Sequence, residues 1–427
     1  MKLPILTIKD VTERQLCTGC GICAALESER FVMGEDVDVG RRPFLRENAA
    51  EENGDAVKCC PGAMLEHDFD EDSPELIKDL RPGWGPVLNV WEAHASDEEA
   101  RFAGSSGGAA TALATFCLEQ MDIDYVVHVG ARKDTPYLNE TVMSRTRAEL
   151  ISRSGSRYAP ASPCDILKEV EDGPGNCVFI GKPCDVAAVH KARQIRPELA
   201  RKIKCTIAFF CAGAPSTRGT LKLMEKVGVK DPSTVQSLRY RGQGWPGMWT
   251  VVHKDGTEQT NQLTYAESWG YLQRYRQWRC YICPDHTGEF ADIAVGDPWY
   301  RDIEPGESGS SLIVARTENG RSIVNAAIKS DYIKMLKSDP TLLPRSQPNL
   351  LHTRGGLWMR LIVLRLLGAA VPKYPGFSLF RYWRSELGFI DKIRSFTGTA
   401  KRVFRKKLRK PMRLRNWSPS SDEHASD

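Results

Sequence analysis

The chain has 427 residues, 41% of them hydrophobic and 26% charged, and its formal net charge is +5; this size predicts two or three domains. Its longest apolar run, residues 361–371, contains Arg365 and is shorter than the about 20 residues of a membrane span, which argues against an integral membrane protein. The amino terminus lacks the pattern of a secretory signal, so the sequence predicts a cytoplasmic protein. The chain has 13 cysteines, and those that are clustered are expected to bind metal or serve redox chemistry instead of forming disulfides.

Residues 1–80 form a cysteine-rich segment with few long periodic runs, which predicts a small domain ordered mainly by its metal. The first three cysteines have the C-x2-C-x2-C spacing with which one tight loop wraps three corners of an iron–sulfur cubane. A remote cysteine followed by proline supplies the fourth ligand, and a structural zinc site is the alternative interpretation. The predicted ligands are Cys17, Cys20, Cys23 and Cys60, with Cys59 as the competing fourth ligand.

A predicted linker, residues 67–86, precedes a pattern of short apolar strands that alternate with helices. This alternation is typical of βαβ units and predicts an α/β body, divided here into domains 86–172 and 173–338. After residue 237 the runs become strand-rich, which gives the whole an α+β character. The predicted strands are residues 87–94, 125–131, 177–181, 205–213, 248–256, 291–297 and 310–316, with helices near 109–120, 164–171 and after Pro183.

Three places in this body could contact a cofactor. A glycine turn after the first strand opens a helix, whose free N–H groups and dipole could receive a phosphate, although a plain helix cap is an equal interpretation. A second tight segment offers a hydroxyl, a cation and an aromatic ring to a flavin, and an aspartate after a late strand either orients a cofactor or caps a turn. The candidate residues are Ser105, Ser106, Gly107, Gly108, Ser156, Arg157, Tyr158 and Asp297.

Four further cysteines could form a second metal site. Cys184 and Cys211 each follow a buried-looking strand, at the end where α/β sheets present ligand-binding residues. Cys280 and Cys283 form a C-x2-C pair, which also suits half a zinc knuckle or a redox dithiol. His286 beside this pair is either an ordinary structural histidine or a group that delivers a proton. The remaining cysteines, interpreted as small buried hydrophobes, are Cys117, Cys164, Cys177 and Cys205.

The region 339–427 is aromatic and basic and predicts a helical extension. Residues 401–415 hold nine Lys or Arg and no acid, so we expect a solvated arm or a contact with an anionic membrane surface. Without this segment the chain is net negative by about 4, which argues against nucleic-acid binding by the body. Deletion of the arm is expected to leave the cofactor content intact.

The chain resembles the coenzyme F-420 (F420) hydrogenase/dehydrogenase beta-subunit family from about residue 10 to residue 330. Six motifs carry the resemblance in order: CTGCGIC, GSSGGAATAL, GSRYA, FIGKPCDVAAV, FFCAG and CYICPDHTGEFADIAVGDPW. It implies a ferredoxin-like amino-terminal module, a flavin-binding α/β body with a non-covalent FAD, and one or two [4Fe-4S] clusters. It also implies that the second cluster is held by Cys184, Cys211, Cys280 and Cys283.

The resemblance further implies that Ser106, Gly107, Gly108 and Lys182 lie near the flavin, where Lys182 would favour the reduced ring. Hydride exchange with F420 or another organic acceptor would then be coupled to single-electron transfer through the clusters. Lys182 and His286 are the predicted catalytic residues. The predicted partner is a redox protein, or a ferredoxin or deazaflavin donor. An oligomer is a further interpretation, and so is a peripheral location at the inner membrane surface through the basic tail.

Two other functions compete with this prediction. The basic extension lies outside the shared region and looks like that of family members associated with cell-surface polysaccharide clusters, which suggests a reductase in that metabolism. A protein of a different class would be a zinc-stabilised binding module whose basic tail docks on RNA or anionic lipid.

Overall fold

The computed structural model describes residues 4–47, 49, 54–257, 262–304 and 306–419. The strands are β1 (Phe31–Asp36), β2 (Gly40–Leu45), β3 (Asn89–Ala95), β4 (Tyr125–Ala131), β5 (Asn139–Ser144), β6 (Cys177–Gly181), β7 (Ile203–Phe209), β8 (Val235–Arg239), β9 (Met248–His253), β10 (Leu263–Thr264), β11 (Ile293–Gly296), β12 (Ser311–Ala315) and β13 (Ile333–Ser338). The helices of the first half are α1 (Ile8–Glu13), α2 (Ile22–Leu26), α3 (Asp55–Cys59), α4 (Arg81–Trp84), α5 (Glu98–Ala103), α6 (Ala109–Gln120), α7 (Arg147–Ser152), α8 (Leu167–Asp172), α9 (Pro183–Ile195) and α10 (Pro197–Lys202). Those of the second half are α11 (Thr217–Lys226), α12 (Tyr265–Leu272), α13 (Glu318–Lys329), α14 (Leu342–Ser346), α15 (Leu350–Leu366), α16 (Leu379–Ser385) and α17 (Phe389–Arg405), with 3-10 turns at Pro232–Thr234, Gln273–Tyr275 and Trp278–Ile282.

One large mixed sheet has the strand order β13-β3-β12-β11-β7-β6-β4-β5. Strands β4, β6, β7 and β11 run parallel, and β12 runs antiparallel to both β11 and β3. The carboxyl ends of β3, β4, β6, β7 and β11 therefore lie at one edge of the sheet. The predicted mixed α/β architecture is confirmed, and strands from the predicted domains 86–172 and 173–338 share this single sheet.

Both faces of the large sheet are covered by helices. Val126 and Val178 pack with α6 and α13 on one face, whereas Val127 and Phe179 pack with α9 on the other. Successive side chains of a strand point to opposite faces, so a sheet buried on both sides favours continuous apolar strands. The run CVFIG of β6 is accordingly buried along its whole length.

The amino-terminal segment forms the antiparallel hairpin β1–β2 together with α1, α2 and α3, and a second small sheet has the order β10-β9-β8. This segment shares a hydrophobic core with the helices of the C-terminal extension. Leu16 and Cys17 belong to the same buried cluster as Leu364 of α15 and Val403 of α17. The predicted extension is therefore part of the folded body and packs against the first cysteine set.

The basic tail after α17 lies on the amino-terminal segment. Met412 N donates to the Glu13 carbonyl at 2.8 Å, and Arg415 N donates to Asp36 Oδ2 at 3.0 Å. Leu408 is buried in the same cluster as the first cysteines. The structure thus differs from the predicted solvated arm, because these backbone contacts anchor the tail, and we no longer expect its deletion to leave the first cysteine set undisturbed.

The stretch predicted as a linker, residues 67–86, is also packed. The ring of His67 lies 4.3 Å, between centroids, from that of Phe377, and its Nε2 atom is 2.8 Å from Glu289 Oε2. Glu289 in turn pairs with Arg354 of α15, and all three polar side chains are nearly inaccessible to solvent. These contacts connect the linker and the extension to the loop before β11. Within the described ranges, no helix combines the length and hydrophobicity needed to cross a bilayer.

Candidate functional site

The carboxyl edge of the large sheet gathers residues from distant parts of the chain. Phe209 of β7 pairs with Val295 of β11, and Cys211 and Asp297 each follow two residues later. Strand β6 lies next to β7 and is followed directly by Lys182. Because parallel strands end at the same edge, the sheet order places these candidate residues side by side.

The cysteines predicted for the second metal site form one group. Burial is the main cause that raises the pKa of the Cys184, Cys211 and Cys283 thiols, and in each case another thiol of the set raises it further. The resulting pKa is about 12 for Cys211 and about 11 for Cys283. Each neighbouring thiol disfavours a second thiolate, so positive charge bound among the sulfurs would stabilise the anionic form of the group.

Backbone amides point at two of these sulfurs. Gly213 N lies 3.4 Å from the Sγ atom of Cys211, and Ala214 N lies 3.4 Å from that of Cys280. Amide hydrogen bonds to sulfur are a feature of iron–sulfur ligation, since they stabilise the thiolate and tune the reduction potential.

Lys182 supplies a cation at this edge. Its Nζ atom is 2.7 Å from Asp185 Oδ2, and the lysine side chain is 22% exposed. Burial opposes the charged form, but Asp185 and the nearby thiols of Cys184 and Cys211 outweigh it and raise the pKa of Lys182. The lysine is therefore protonated, and it lies beside the second cysteine set.

His286 is locked to the backbone of a cysteine. Its Nδ1 atom is 2.8 Å from the Cys211 carbonyl oxygen, and Cys211 N donates to the His286 carbonyl at 2.9 Å. Burial lowers the pKa of His286 to about 4. The imidazole is thus neutral near pH 7 and fixes the Cys211 backbone, which does not favour the predicted delivery of a proton.

The first cysteine set lies in a loop of amide donors. Gly19 and Gly21 have φ angles of 77° and 93°, in the left-handed region that glycine tolerates, as the tight loop requires. Gly19 N is 3.3 Å from the Sγ atom of Cys17. Backbone N–H groups that lower the thiol pKa values of Cys20, Cys23 and Cys60 come from Ile22, Ala24, Gly62 and Ala63.

Cys60 and Cys59 face different surroundings. Helix α3 ends at Cys59, and the backbone is extended at Cys60. Burial raises the pKa of Cys60 to about 12, followed by the thiols of Cys20 and Cys17. Burial also raises the pKa of Cys59 to about 11, but the next influence there is Lys191 of α9, which opposes the rise. Cys60 shares a buried cluster with Cys17 and Cys23 and is affected by two loop thiols, whereas Cys20 is the one loop thiol among the main influences on Cys59.

One cysteine that was interpreted as a simple hydrophobe contacts this set. Cys164 N donates to the Cys20 carbonyl at 2.9 Å, and a hydrogen bond from the Cys164 thiol is the main cause that lowers the pKa of Cys20. Cys164 is fully buried, in agreement with its predicted environment.

A buried arginine connects the two cysteine sets. Arg279 Nη2 donates to the Pro61 carbonyl at 2.8 Å, immediately after Cys60, and Nη1 donates to the Ile282 carbonyl at 3.3 Å, immediately before Cys283. The guanidinium lowers the pKa of Cys17 in the first set and of Cys283 in the second, although burial dominates both values. One positive charge thus acts on both groups of thiols.

The glycine turn before α6 is closed by strand β12. Ser106 Oγ lies 2.8 Å from Ser311 Oγ, and Gly107 N donates to the same hydroxyl at 2.9 Å. A Cβ atom at Gly107 would lie 2.7 Å from Ser310 Cα, so only glycine permits this approach. The N-cap of α6 is Gly108, and no side chain of the described residues caps it, so the alternative of a serine cap is wrong. The first N–H groups of α6 therefore remain available to an anion.

An arginine joins the glycine turn to Asp297. Arg241 donates to the two carboxylate oxygens of Asp297 at 2.8 Å each and also reaches the Ser105 carbonyl. Its guanidinium carbon lies 4.5 Å from the ring centroid of Tyr265, which stacks on Trp299 at 5.7 Å. Asp297 is therefore held in an ion pair whose arginine lies next to the stacked rings of Tyr265 and Trp299, which we call the aromatic wall.

The three residues of the second predicted cofactor segment make contacts with different parts of the molecule. Ser156 N donates to Ser105 Oγ at 2.6 Å, so this residue adjoins the glycine turn. Arg157 donates to Asn139 Oδ1 and to the Leu238 carbonyl at 2.8 Å each. Arg157 also donates to further backbone carbonyls. Its guanidinium therefore stabilises the fold and is not free to bind a phosphate. Tyr158 packs with the aromatic residues near Tyr265.

Several residues of the site were not predicted from the sequence. Arg279 directly precedes the C-x2-C pair, and Arg241 begins the glycine-rich run RGQGWPG, which are the local patterns that could have indicated them. The aromatic and hydroxyl residues are scattered and offer no such pattern. The unpredicted residues are Cys164, Arg241, Tyr265, Arg279, Trp299 and Ser311.

Among the residues that the structure describes, no three His, Cys, Asp or Glu side chains surround one point closely enough to hold a metal ion. A single zinc ion binds each thiolate sulfur at about 2.3 Å, which requires a very compact set. A cubane places its four cysteines on separate iron atoms and requires a wider set.

Comparison with protein families gives two adjoining matches, both to the beta subunit of coenzyme F420 hydrogenase/dehydrogenase. The family description of its N-terminal part matches residues 90–168, and the description of its carboxyl-terminal part matches residues 175–341. Together the matched ranges cover more than half of the chain and include the glycine turn, Arg241 and the second cysteine set.

Curated relatives agree with this match. The chain is 26% identical over 260 residues to the coenzyme F420 hydrogenase subunit beta of Methanosarcina barkeri, across 59% of this chain and 82% of that protein. It is 25% identical over 252 residues to the F420-dependent formate dehydrogenase 1 subunit beta of Methanococcus maripaludis, across 59% of this chain and 62% of that protein. It is 24% identical over 304 residues to the coenzyme F420-dependent sulfite reductase of Methanocaldococcus jannaschii, across 64% of this chain and 45% of that protein.

A solved structure shows the same fold. A chain in the F420-reducing [NiFe] hydrogenase complex from Methanosarcina barkeri superposes with a TM-score of 0.51 and 21% sequence identity. The match covers 70% of this chain and 96% of that chain.

Proposed function

Because the chain belongs to the coenzyme F420 hydrogenase/dehydrogenase beta-subunit family and is an oxidoreductase, we propose that it transfers electrons between two [4Fe-4S] clusters and FAD. The flavin would exchange hydride with F420 or with another organic acceptor. The observation that carries this proposal is the arrangement of two four-thiol groups around Arg279, the second of them on the same sheet edge as the glycine turn.

The donor sets fit the proposed clusters. Each set offers four cysteine thiols, amide N–H groups directed at sulfur, and a nearby buried cation that offsets the negative charge of a thiolate-bound cubane. The amino-terminal segment would then act as a ferredoxin-like module. The proposed ligands are Cys17, Cys20, Cys23 and Cys60 for one cluster, and Cys184, Cys211, Cys280 and Cys283 for the other.

The flavin site is proposed along the carboxyl edge between β3 and β6. The uncapped start of α6 and the turn at Ser105–Gly108 suit a diphosphate, and the wall that contains Tyr265 and Trp299 suits an aromatic ring system. Bound there, FAD would supply the conversion between two-electron and one-electron transfer. Lys182, protonated and next to the second cysteine set, would favour a negatively charged reduced ring.

The protein's own groups would orient and insulate this chemistry. Asp297 holds Arg241 against the turn, and His286 fixes the backbone that carries Cys211. We therefore assign His286 a positioning role and keep Lys182 as the candidate catalytic cation. Two of the named relatives are subunits of a hydrogenase and of a formate dehydrogenase, so we propose a redox partner protein or a small electron donor. We also propose a cytoplasmic location.

The test is anaerobic purification followed by analysis of iron, acid-labile sulfide and flavin. We expect a brown protein with two clusters and bound FAD, whose flavin is reduced when reduced F420 is added. Cys211→Ser should lose the second cluster, whereas Cys205→Ser, a buried cysteine of β7 outside both sets, should keep both. A colourless protein with stoichiometric zinc would contradict the proposal and support the zinc-stabilised binding module.

Removal of the charge at Arg279 is expected to lower the reduction potentials of both clusters. A buried unit charge a few ångströms away is worth about 2–3 kcal/mol at an effective dielectric constant near 20, which corresponds to a shift on the order of 100 mV for one electron. EPR-monitored redox titration of Arg279→Met would measure this shift. Arg279→Lys retains the charge and should shift the potentials less, so equal shifts in the two variants would show that charge is not the cause.

A further inference from the structure

Helix α17 is oriented with its largest apolar side chains toward solvent. It buries the small residues Ser395, Thr399 and Val403 in the direction of α15. The two buried hydroxyls donate to backbone carbonyls of the same helix at 2.7 Å, which permits their burial without other partners. The large exposed residues of this helix are Phe389, Ile390, Ile393, Phe396 and Phe404, which are between 47% and 78% exposed.

These residues form a stripe along the helix, with only the small apolar residue Ala400 on this face between Phe396 and Phe404. With 3.6 residues per turn, Phe389, Ile393 and Phe396 fall on one face, and Phe404 falls on the same face two turns later. The adjoining face carries a row of cations, Arg394, Lys401 and Arg405. The only acid of the helix, Asp391, points away from the stripe and pairs with Arg394 and His352.

Helix α16 extends the apolar surface at one end. Lys392 of α17 lies 5.0 Å from the ring centroid of Trp383 and donates to the Arg384 carbonyl at 3.2 Å, so the end of α16 borders the start of α17. Phe380 stacks on Trp383 and is 51% exposed. Phe380 and the partly buried Trp383 thus continue the apolar surface beside cations, and aromatic side chains are enriched at the interface between a membrane and water.

The positive charge around this apolar surface indicates the kind of partner that it binds. Residues 379–415 contain thirteen Lys or Arg and two acids. An apolar stripe with phenylalanine, flanked by lysine and arginine, is the pattern of a helix that lies in the plane of a bilayer surface, and basic segments are attracted to anionic lipids.

We propose that α17, together with the end of α16, docks this protein on the surface of an anionic lipid bilayer. The apolar stripe enters the boundary between head groups and acyl chains, and Arg394, Lys401 and Arg405 contact the lipid phosphates. The contact is made by the helix, while the basic tail beyond it stays bound to the amino-terminal segment.

Vesicle flotation of the purified holoprotein tests this proposal. Vesicles of phosphatidylcholine alone are compared with vesicles that contain phosphatidylcholine and phosphatidylglycerol in equal amounts. We expect flotation with the anionic vesicles only, and a loss of the bound fraction on the order of tenfold in the triple variant Phe389→Ser, Ile393→Ser, Phe396→Ser. The triple variant Arg394→Gln, Lys401→Gln, Arg405→Gln should lose the preference for anionic lipid.

Leu336→Ser is the matched control, since Leu336 is 56% exposed on the edge strand β13. It should float as the wild type does, and far-UV circular dichroism should show all variants folded. Absence of wild-type flotation, or an equal loss in Leu336→Ser, would overturn the proposal. A wild-type oligomer that dissociates in the apolar triple variant would also overturn it, because a second copy would then cover the stripe.

Discussion

Replacement of Cys60 by serine is expected to prevent assembly of the first cluster, whereas replacement of Cys59 is expected to leave both clusters in place. A serine hydroxyl is not an equivalent ligand for iron, and one missing corner exposes the cubane to solvent. Iron and sulfide analysis of anaerobically purified protein, together with EPR of the reduced state, measures the result. We expect Cys60→Ser to retain only the iron of the second cluster.

The two variants are closely matched because they alter adjacent, buried cysteines. Their expected difference rests on the surroundings of the two thiols. The Cys60 thiol interacts with those of Cys17 and Cys20 and with the amides of Gly62 and Ala63. Loss of iron in Cys59→Ser, with full retention in Cys60→Ser, would reverse the assignment of the fourth ligand.

Replacement of Glu289 by glutamine is expected to destabilise the fold by about 3–5 kcal/mol, the usual cost of leaving one member of a buried ion pair without its partner. The Arg354 and Glu289 side chains that form this pair are at most 1% exposed. The isosteric change keeps the volume and removes only the charge. Urea unfolding under argon, followed by tryptophan fluorescence, measures the change in the free energy of unfolding.

Two further variants give this measurement its controls. Glu198→Gln removes one carboxylate from the exposed pair with Arg201 and should cause no measurable change. Adding Arg354→Met to Glu289→Gln should cost less than the sum of the two single changes, because the second change removes the unpaired cation. Full additivity would show that the two side chains do not interact energetically.

The same pair predicts how stability depends on pH. Burial alone would raise the pKa of Glu289, but Arg354 and His67 outweigh it and bring the pKa down to about 2. This is below the value of about 4.3 for an unfolded glutamate, so the stabilisation is complete above that pH. It should decline as the pH falls from about 4.3 toward 2, and Glu289→Gln should remove this part of the acid dependence.

The sequence alone determined those features that local order controls. The C-x2-C-x2-C loop places Cys17, Cys20 and Cys23 together because short spacing leaves the backbone few alternatives, and the glycines supply the required left-handed φ angles. Continuous apolar runs such as CVFIG likewise predicted buried strands, and hence the mixed α/β architecture, because burial on both faces requires apolar residues in succession.

Only the tertiary structure decided what depends on contacts between distant segments. Strand order, which no spacing rule encodes, brings Cys184, Cys211 and the C-x2-C pair to one edge, and the end of α3 separates Cys60 from Cys59. The link through Arg279 and the packing of the basic tail on the amino-terminal segment also depend on contacts between segments that are far apart in the sequence. A residue's charge and hydrophobicity are fixed by its type, but its partners are fixed by the fold.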